Sequence, residues 1–370
     1  MRRLRWRWLA AAGAAAVAAC MVAALAMDDG VRPAAPAAAP IALAVMGDSN
    51  SHAYQDTVSF PVGSGLRGGA WRDSTFQWTE ILARLRGHEI DLGPWETSGR
   101  SGFWLNLRYL LGQPEVRAPR KLDHRYNFAN SGAPCDGLTT GRYRQAPRLV
   151  AMMDREPERW RRGVVVIRIG MASLSSVALL DGMARDPADA AAREAMDGCL
   201  RHIGDAVRLI RASHPATHIV LVNVFEDAND PVDFAHWLSP EAVNNIGRAF
   251  DHYRDAVRAL AARDPAMSFF DDRAWFRAHW GQRGTRGEPA AFRTVAIGAH
   301  LRVRHALGDP PTNTMVADGH AGLVWNALWA QALVRHLREP AGLPLTPIGD
   351  EEVARFVEGL VGAPLRAPGS

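Results

Sequence analysis

The residues of this chain best suited to chemistry are a serine, a histidine and a glycine, and together they suit attack on a carbonyl. Residues 41–52 read IALAVMGDSNSH, an aliphatic run that ends in Gly47-Asp48-Ser49. A short apolar run closed by a glycine reads as a strand buried on both faces of a parallel sheet. Ligands of such sheets collect at the carboxyl ends of the strands, so Ser49 stands where chemistry is usually done. Taken alone, Gly-Asp-Ser is also an ordinary turn with a helix cap, and the reading depends on partners elsewhere. A serine hydroxyl is a weak nucleophile until a base takes its proton, and the resulting oxyanion needs hydrogen-bond donors. The candidate base is His320, in Val316-Ala317-Asp318-Gly319-His320-Ala321-Gly322 directly before the last long helical pattern, with Asp318 as the acid that would orient it. The candidate donors are the backbone amides of Ser49 and of Gly132 in Asn130-Ser131-Gly132-Ala133, where no side chain blocks a ligand.

Other polar residues carry weaker signals. His52 lies one turn past Ser49; it either faces the cleft or, the blander reading, caps a helix or sits on the surface. Asp48 reads as a local turn acceptor and not as the acid of a triad. His88, His124, His202, His214, His218, His236 and His252 show no paired ligand spacing, so no metal site is expected. Trp71, Trp95 and Trp104 offer broad amphipathic area for stacking on a sugar, against the alternative of buried packing.

The elements that must position these residues alternate in type. Besides the strand from Ile41, apolar segments at Tyr126–Ala129, Val164–Ile169, His218–Val224 and Met267–Phe270 read as strands. Helical patterns lie between them. Ser74 with Gln77 forms a capping-box signature ahead of Trp78, Ile81, Leu82 and Leu85. Ser239-Pro240 opens a helix with Val243, Ile246, Phe250, Val257 and Leu260 on one stripe. A last helix runs from about Leu323 to Leu337. This alternation predicts an α/β fold: a three-layer α/β/α sandwich around a central, mostly parallel five-stranded sheet. Residues 55–121 and 281–316 read as insertions, the second with a hairpin in Thr294–Val303.

On these blocks the chain resembles the SGNH hydrolases, also called GDSL esterases and lipases, over roughly residues 41–337. Ser49 matches the family's nucleophile in its Gly-Asp-Ser block after the first strand. Gly132, within NFANSGA, matches the glycine whose amide is an oxyanion donor, and His320 matches the late histidine base. The resemblance implies a flavodoxin-like sandwich, a serine esterase mechanism with Asp318 orienting His320, and no cofactor. Two departures stand out. The family's third block, Gly-x-Asn-Asp, is here Gly170-Met171-Ala172-Ser173, so alanine replaces an asparagine that donates to the oxyanion; Ser173 or Asn229 are candidate substitutes. The base block is Asp318-Gly319-His320, one residue shorter than Asp-x-x-His, with Ala317 at the expected acid position, so either Asp318 reaches the imidazole through a rearranged turn or the site is a serine–histidine dyad. These departures keep open an alternative in which the domain is catalytically impaired and binds or assembles envelope glycans.

Charge and address narrow the partners. Of 43 basic residues, Arg2, Arg3, Arg5 and Arg7 lie in the first eight positions, and the others balance the 39 acidic ones. A balanced chain lacks the basic face that nucleic-acid binding requires. Residues 1–27 place those arginines ahead of a long uncharged stretch, the plan of an export signal or membrane anchor. Three fates are open: cleavage after Ala24-Leu25-Ala26, lipidation at Cys20, or retention as a membrane tether. Each puts the folded part outside the cytoplasm, periplasmic, envelope-bound or secreted. Residues 28–40, DDGVRPAAPAAAP, read as a linker, residues 41–340 as the hydrolase domain, and residues 341–370 as a tail with one short amphipathic helix. Cys135 and Cys199 could pair in an oxidising compartment; the alternative for Cys199 is a small buried hydrophobe on a helix face. The expected partner is a small-molecule or polysaccharide ester.

Overall fold

The computed structural model describes residues 39–100, 107, 111, 116–225, 227–284 and 291–362. The first half of the domain contains β1 (Ile41–Gly47), α1 (Trp78–Arg86), β2 (Ile90–Asp91), β3 (Trp95–Ser98), β4 (Lys121–His124), α2 (Gln145–Met153) and β5 (Val164–Arg168). Then come α3 (Val177–Arg185), α4 (Ala190–Ser213), β6 (His218–Val222), α5 (Pro240–Ala261), β7 (Met267–Phe270) and α6 (Asp272–Trp280). The rest comprises β8 (Val295–Ile297), β9 (Leu301–Leu307), β10 (Asn313–Met315), α7 (Leu323–Arg338) and α8 (Asp350–Val361).

Strands β2-β1-β5-β6-β7 form one five-stranded sheet, in that order, and every described pairing in it is parallel. Because successive strand residues face opposite ways, each strand feeds two cores. Leu43, Val45, Val164, Val166, Val220 and Val222 pack on one face with α1, α6, α7 and α8. Ala42, Ala44, Met46, Val165, Ile167, Ile219 and Leu221 pack on the other with α2, α3, α4 and α5. The result is the three-layer α/β/α sandwich expected from the alternation, and each fully buried Val, Leu or Ile in it contributes about 1.5–3 kcal/mol. Residues Val295–Ile297 and Leu301–Val303 pair antiparallel in the expected hairpin, which β10 extends.

Local chemistry sets the helix starts. Ser239 caps α5 by accepting from Ala242 N, with Pro240 in the first turn. At α1 the expected cap moves: Gln77, not Ser74, accepts from Trp78 N, and Glu80 reaches back to Gln77 N at 2.7 Å. Ser74 instead donates to Trp71 O, three residues back.

Two further expectations need correction. Tyr126–Ala129 forms no strand, only an isolated bridge between Asn127 and Val45. The next ladder bond, Gly47 N to Phe128 O, does not form: Gly47 N donates to Gln145 Oε1 at 2.8 Å, and Phe128 O accepts from Asn130 Nδ2 at 2.7 Å. The strand on that side of β1 is β2, which lies within the segment 55–121 read as an insertion. Helix α8 buries Val353, Ala354 and Val357 in the core that also holds α7.

Candidate active site

The carboxyl end of β1 delivers Ser49 into a turn held from three sides. The Asp48 carboxylate accepts from Asn50 N (3.0 Å), Gly170 N (3.1 Å) and Met171 N (3.0 Å), stitching this turn to the one after β5. Burial pushes the Asp48 carboxyl upward, while those amides and Arg168 work against it. From α1, Gln77 Nε2 donates to Ser49 O (3.3 Å) and Trp78 Nε1 to Asn50 O (3.1 Å). Arg168 Nη1 donates to the same Asn50 carbonyl at 2.8 Å, its other side paired with Asp272. The backbone of Ser49 is thereby fixed while the residue stays half-buried.

His320 enters from the turn between β10 and α7. Gly319 N donates to Val316 O (3.0 Å) and Val316 N to His320 O (2.8 Å), a tight reversal that needs the positive φ of 79° at Gly319. That reversal lets the shortened block work: Asp318 Oδ1 lies 3.0 Å from His320 Nδ1. Ala317, at the expected acid position, is exposed. Arg67, which sequence reasoning did not single out, completes the cluster. Its Nη1 lies 2.7 Å from Asp318 Oδ2 and 2.6 Å from His320 Nδ1, and its Nη2 donates to Ser131 Oγ at 3.1 Å. Burial pushes the Asp318 carboxyl up, but the His320 hydrogen bond and the Arg67 charge outweigh it and hold the group well below the usual carboxylate range.

A cleft of about 270 Å³ brings these pieces together; Ser49, Met171, Asp230, Asp318, His320 and Trp325 are among its walls. Burial raises Asp230 to about 7. A second cavity of about 300 Å³, walled by Arg117, Arg125, Tyr126, Arg148 and Trp160, contains none of the Ser49 set. Chemistry, not size, therefore picks the cleft.

Gly132 has a φ of 71° and open space where a Cβ would project. Its loop is pinned from below by His52, whose Nδ1 accepts from Ser131 N (2.9 Å) while Nε2 donates to Asp56 Oδ2 (2.9 Å). His52 is thus neither a surface residue nor a helix cap: it is 2% exposed, and burial with Lys121 nearby lowers its pKa to about 4 against the pull of Asp56 and Asp123. Three residues past Gly132, Cys135 forms a disulfide with Cys199 of α4 (Cα–Cα 5.0 Å), so Cys199 is not simply a buried hydrophobe.

The candidate replacements for the missing asparagine are engaged elsewhere. Ser173 Oγ accepts from Cys135 N at 2.9 Å, and Asn229 Oδ1 accepts from Arg283 N at 2.7 Å. Neither wall of the cleft includes them, and Ala172 itself is exposed while its neighbour Met171 faces in. Trp71 and Trp95 do not line the cleft either; Trp95 packs edge-on against His124. Trp104, Cys20 and the segment 1–38 lie outside the described residues. Among the described residues no cluster of three or more metal-ligating side chains occurs, and no helix is long and apolar enough to cross a membrane.

No protein-family model matches the chain, and no curated protein matches it. Among solved structures it is similar to a lipase from a goat rumen metagenome (14% identity, 66% of this chain and 87% of that one covered, TM-score 0.34). It is also similar to an extracellular lipase from Streptomyces rimosus (14% identity, 67% and 86% covered, TM-score 0.38). A third is a mutant of an acetyl-xylooligosaccharide esterase from Geobacillus (14% identity, 83% and 97% covered, TM-score 0.35).

Proposed function

We propose that this chain is a serine hydrolase of the SGNH type, acting on carboxylic esters outside the cytoplasm. One observation carries the reading: Ser49 shares a cleft with His320, whose Nδ1 lies 3.0 Å from Asp318 and whose Nε2 has no partner among the described residues. In the mechanism Ser49 Oγ attacks the ester carbonyl carbon while His320 Nε2 takes its proton. The Ser49 and Gly132 amides stabilise the oxyanion, and the alkoxide leaves with the proton from His320. Water, activated by the same imidazole, then releases the acid from the acyl-serine. A sugar hydroxyl in place of water would make the same site an acyltransferase. The uncharged stretch behind four arginines at the amino end supports export, and an O-acyl group on a polysaccharide or a small soluble ester fits the exported setting.

The absent asparagine favours one rival, a domain with this fold that binds glycans without hydrolysing them. A fluorophosphonate probe separates the two on the purified protein. Wild type should label and Ser49→Ala should not; an unlabelled, well-folded wild type would favour the rival.

A further inference from the structure

Arg67 lies in PVGSGLRGGA, residues 61–70, where the chain takes positive φ at Gly63, Gly65, Gly68 and Gly69 and also at Arg67, with φ 58°. That conformation is unfavourable for a residue with a side chain and persists only where surrounding contacts hold it. Here the contacts are specific. The guanidinium lies over the Phe60 ring at 4.3 Å, and both Arg67 N (2.9 Å) and Nη1 (2.7 Å) donate to Asp318 Oδ2. Arg67 is 3% exposed, so this cation is built into the site and not draped over it.

The consequence falls on His320 Nδ1, which has Asp318 on one side, its Oδ1 at 3.0 Å and its backbone O at 3.1 Å, and the Arg67 Nη1 donor at 2.6 Å on the other. A neutral imidazole carries one proton, so Nδ1 serves one of these neighbours and not both. If Nδ1–H donates to Asp318, Nε2 is bare and can take the Ser49 proton. If Nδ1 accepts from Arg67, the proton sits on Nε2 and the base is blocked. The shorter contact is the one to Arg67. Asp48 beneath Ser49 and the Tyr54 hydroxyl, which donates to Ala321 O at 2.9 Å, are tied up in other bonds.

We propose that Arg67 is a positioning residue that sets the tautomer of His320, holding the resting imidazole in its Nε2–H form. Turnover then requires the guanidinium to release Nδ1 and keep only Asp318. The consequence for catalysis rests on the esterase reading, but the tautomer does not.

The test is NMR of the ring nitrogens in protein labelled with ¹⁵N-histidine, the His320 signals being those lost in His320→Gln. Wild type should show the Nε2–H pattern. Arg67→Met should show the Nδ1–H pattern. Arg67→Lys keeps a cationic donor and should keep the Nε2–H pattern. A wild-type Nδ1–H pattern overturns the proposal without any variant. An unchanged ring-nitrogen pattern in Arg67→Met, or in Arg67→Leu if the methionine variant does not fold, reduces Arg67 to a structural tie and overturns it too. Because the ring is read without substrate, a protein inert to fluorophosphonate would sink the esterase reading and leave the tautomer result standing.

Discussion

Two histidine–carboxylate pairs serve the same loop cluster, and they differ in what the imidazole has left over. His52–Asp56 and His320–Asp318 have nearly equal contacts, 2.9 and 3.0 Å. The side chains of the first pair are 3% and 0% exposed, those of the second 23% and 11%. His52 uses both ring nitrogens, one on Asp56 and one on Ser131 N, so it can hold a loop and cannot move a proton. His320 has both of its neighbours on Nδ1 and none on Nε2 among the described residues. A carboxylate partner alone therefore does not mark a catalytic histidine. What sets His320 apart is a ring nitrogen without a partner among the described residues, in a cleft that Ser49 also lines.

The comparison breaks most sharply at its catalytic end. Ser49→Ala and His320→Ala should each lower kcat by about 10⁶-fold where the nucleophile and base act as a unit, and the double variant should lose little more. Comparable loss from His52→Ala, in a protein equally well folded, would overturn the division between the pairs. Asp318→Asn comes next. If Asp318 fixes the working tautomer and stabilises the imidazolium, the rate should fall by about 10⁴-fold at neutral pH. Unchanged kinetics would leave a serine–histidine dyad.

Much of this contrast was legible in the sequence, but unevenly. Ser49 and His320 sit at the ends of periodic elements, where transitions to a loop advertise themselves, and Gly132 shows as a glycine in a polar turn although no strand directly precedes it. Arg67 does not: it is one arginine among many in a glycine-rich stretch, and its partner Asp318 is 251 residues away. His52 pairs with Asp56 at a spacing of four, yet those residues form turns and not a helix, so helical periodicity gives no hint of the contact. β2 escaped because two residues make no periodic signal. Tyr126–Ala129 misled for the opposite reason: its composition suits a strand, while the side chains of Gln145 and Asn130 take the groups that the next ladder bond would use.

His52→Ala sharpens the comparison from the structural side. It strands Ser131 N and Asp56 in a buried setting, which should cost roughly 2–3 kcal/mol of stability. Loosening the Gly132 loop should slow turnover by up to about 10²-fold, since donor placement is sensitive to shifts of an ångström. The pH dependence has a defined sign. The buried His52 titrates near 4 against an ordinary 6.5, so the unfolded chain takes up the proton first. Its contribution is complete above about 6.5 and is lost as pH falls toward 4. The gap in melting temperature between wild type and His52→Ala should therefore narrow on acidification. A gap constant from pH 7 to pH 4 would mean that His52 is not held neutral.

The smallest expected effect is at Ala172, where the resemblance to the SGNH hydrolases points to the largest. A side-chain amide placed in an oxyanion hole is worth about 10²–10³ in rate, so Ala172→Asn might be thought to restore a missing donor. The geometry argues otherwise. Residue 172 is exposed on the short helix Met171–Leu174, and Met171 and Ser175 are the members of that segment that face the cleft. Asp48 already accepts from the Gly170 and Met171 amides, which fixes the start of that helix and keeps position 172 turned outward. Ala172→Asn should then behave as a surface substitution, within about 0.5 kcal/mol in stability, and leave kcat within about twofold, the same energy read as a rate. A rise of tenfold or more, seen in kcat and not in KM, would show that the turn after β5 rearranges when substrate binds. The oxyanion hole would then belong to that turn as well as to Ser49 and Gly132.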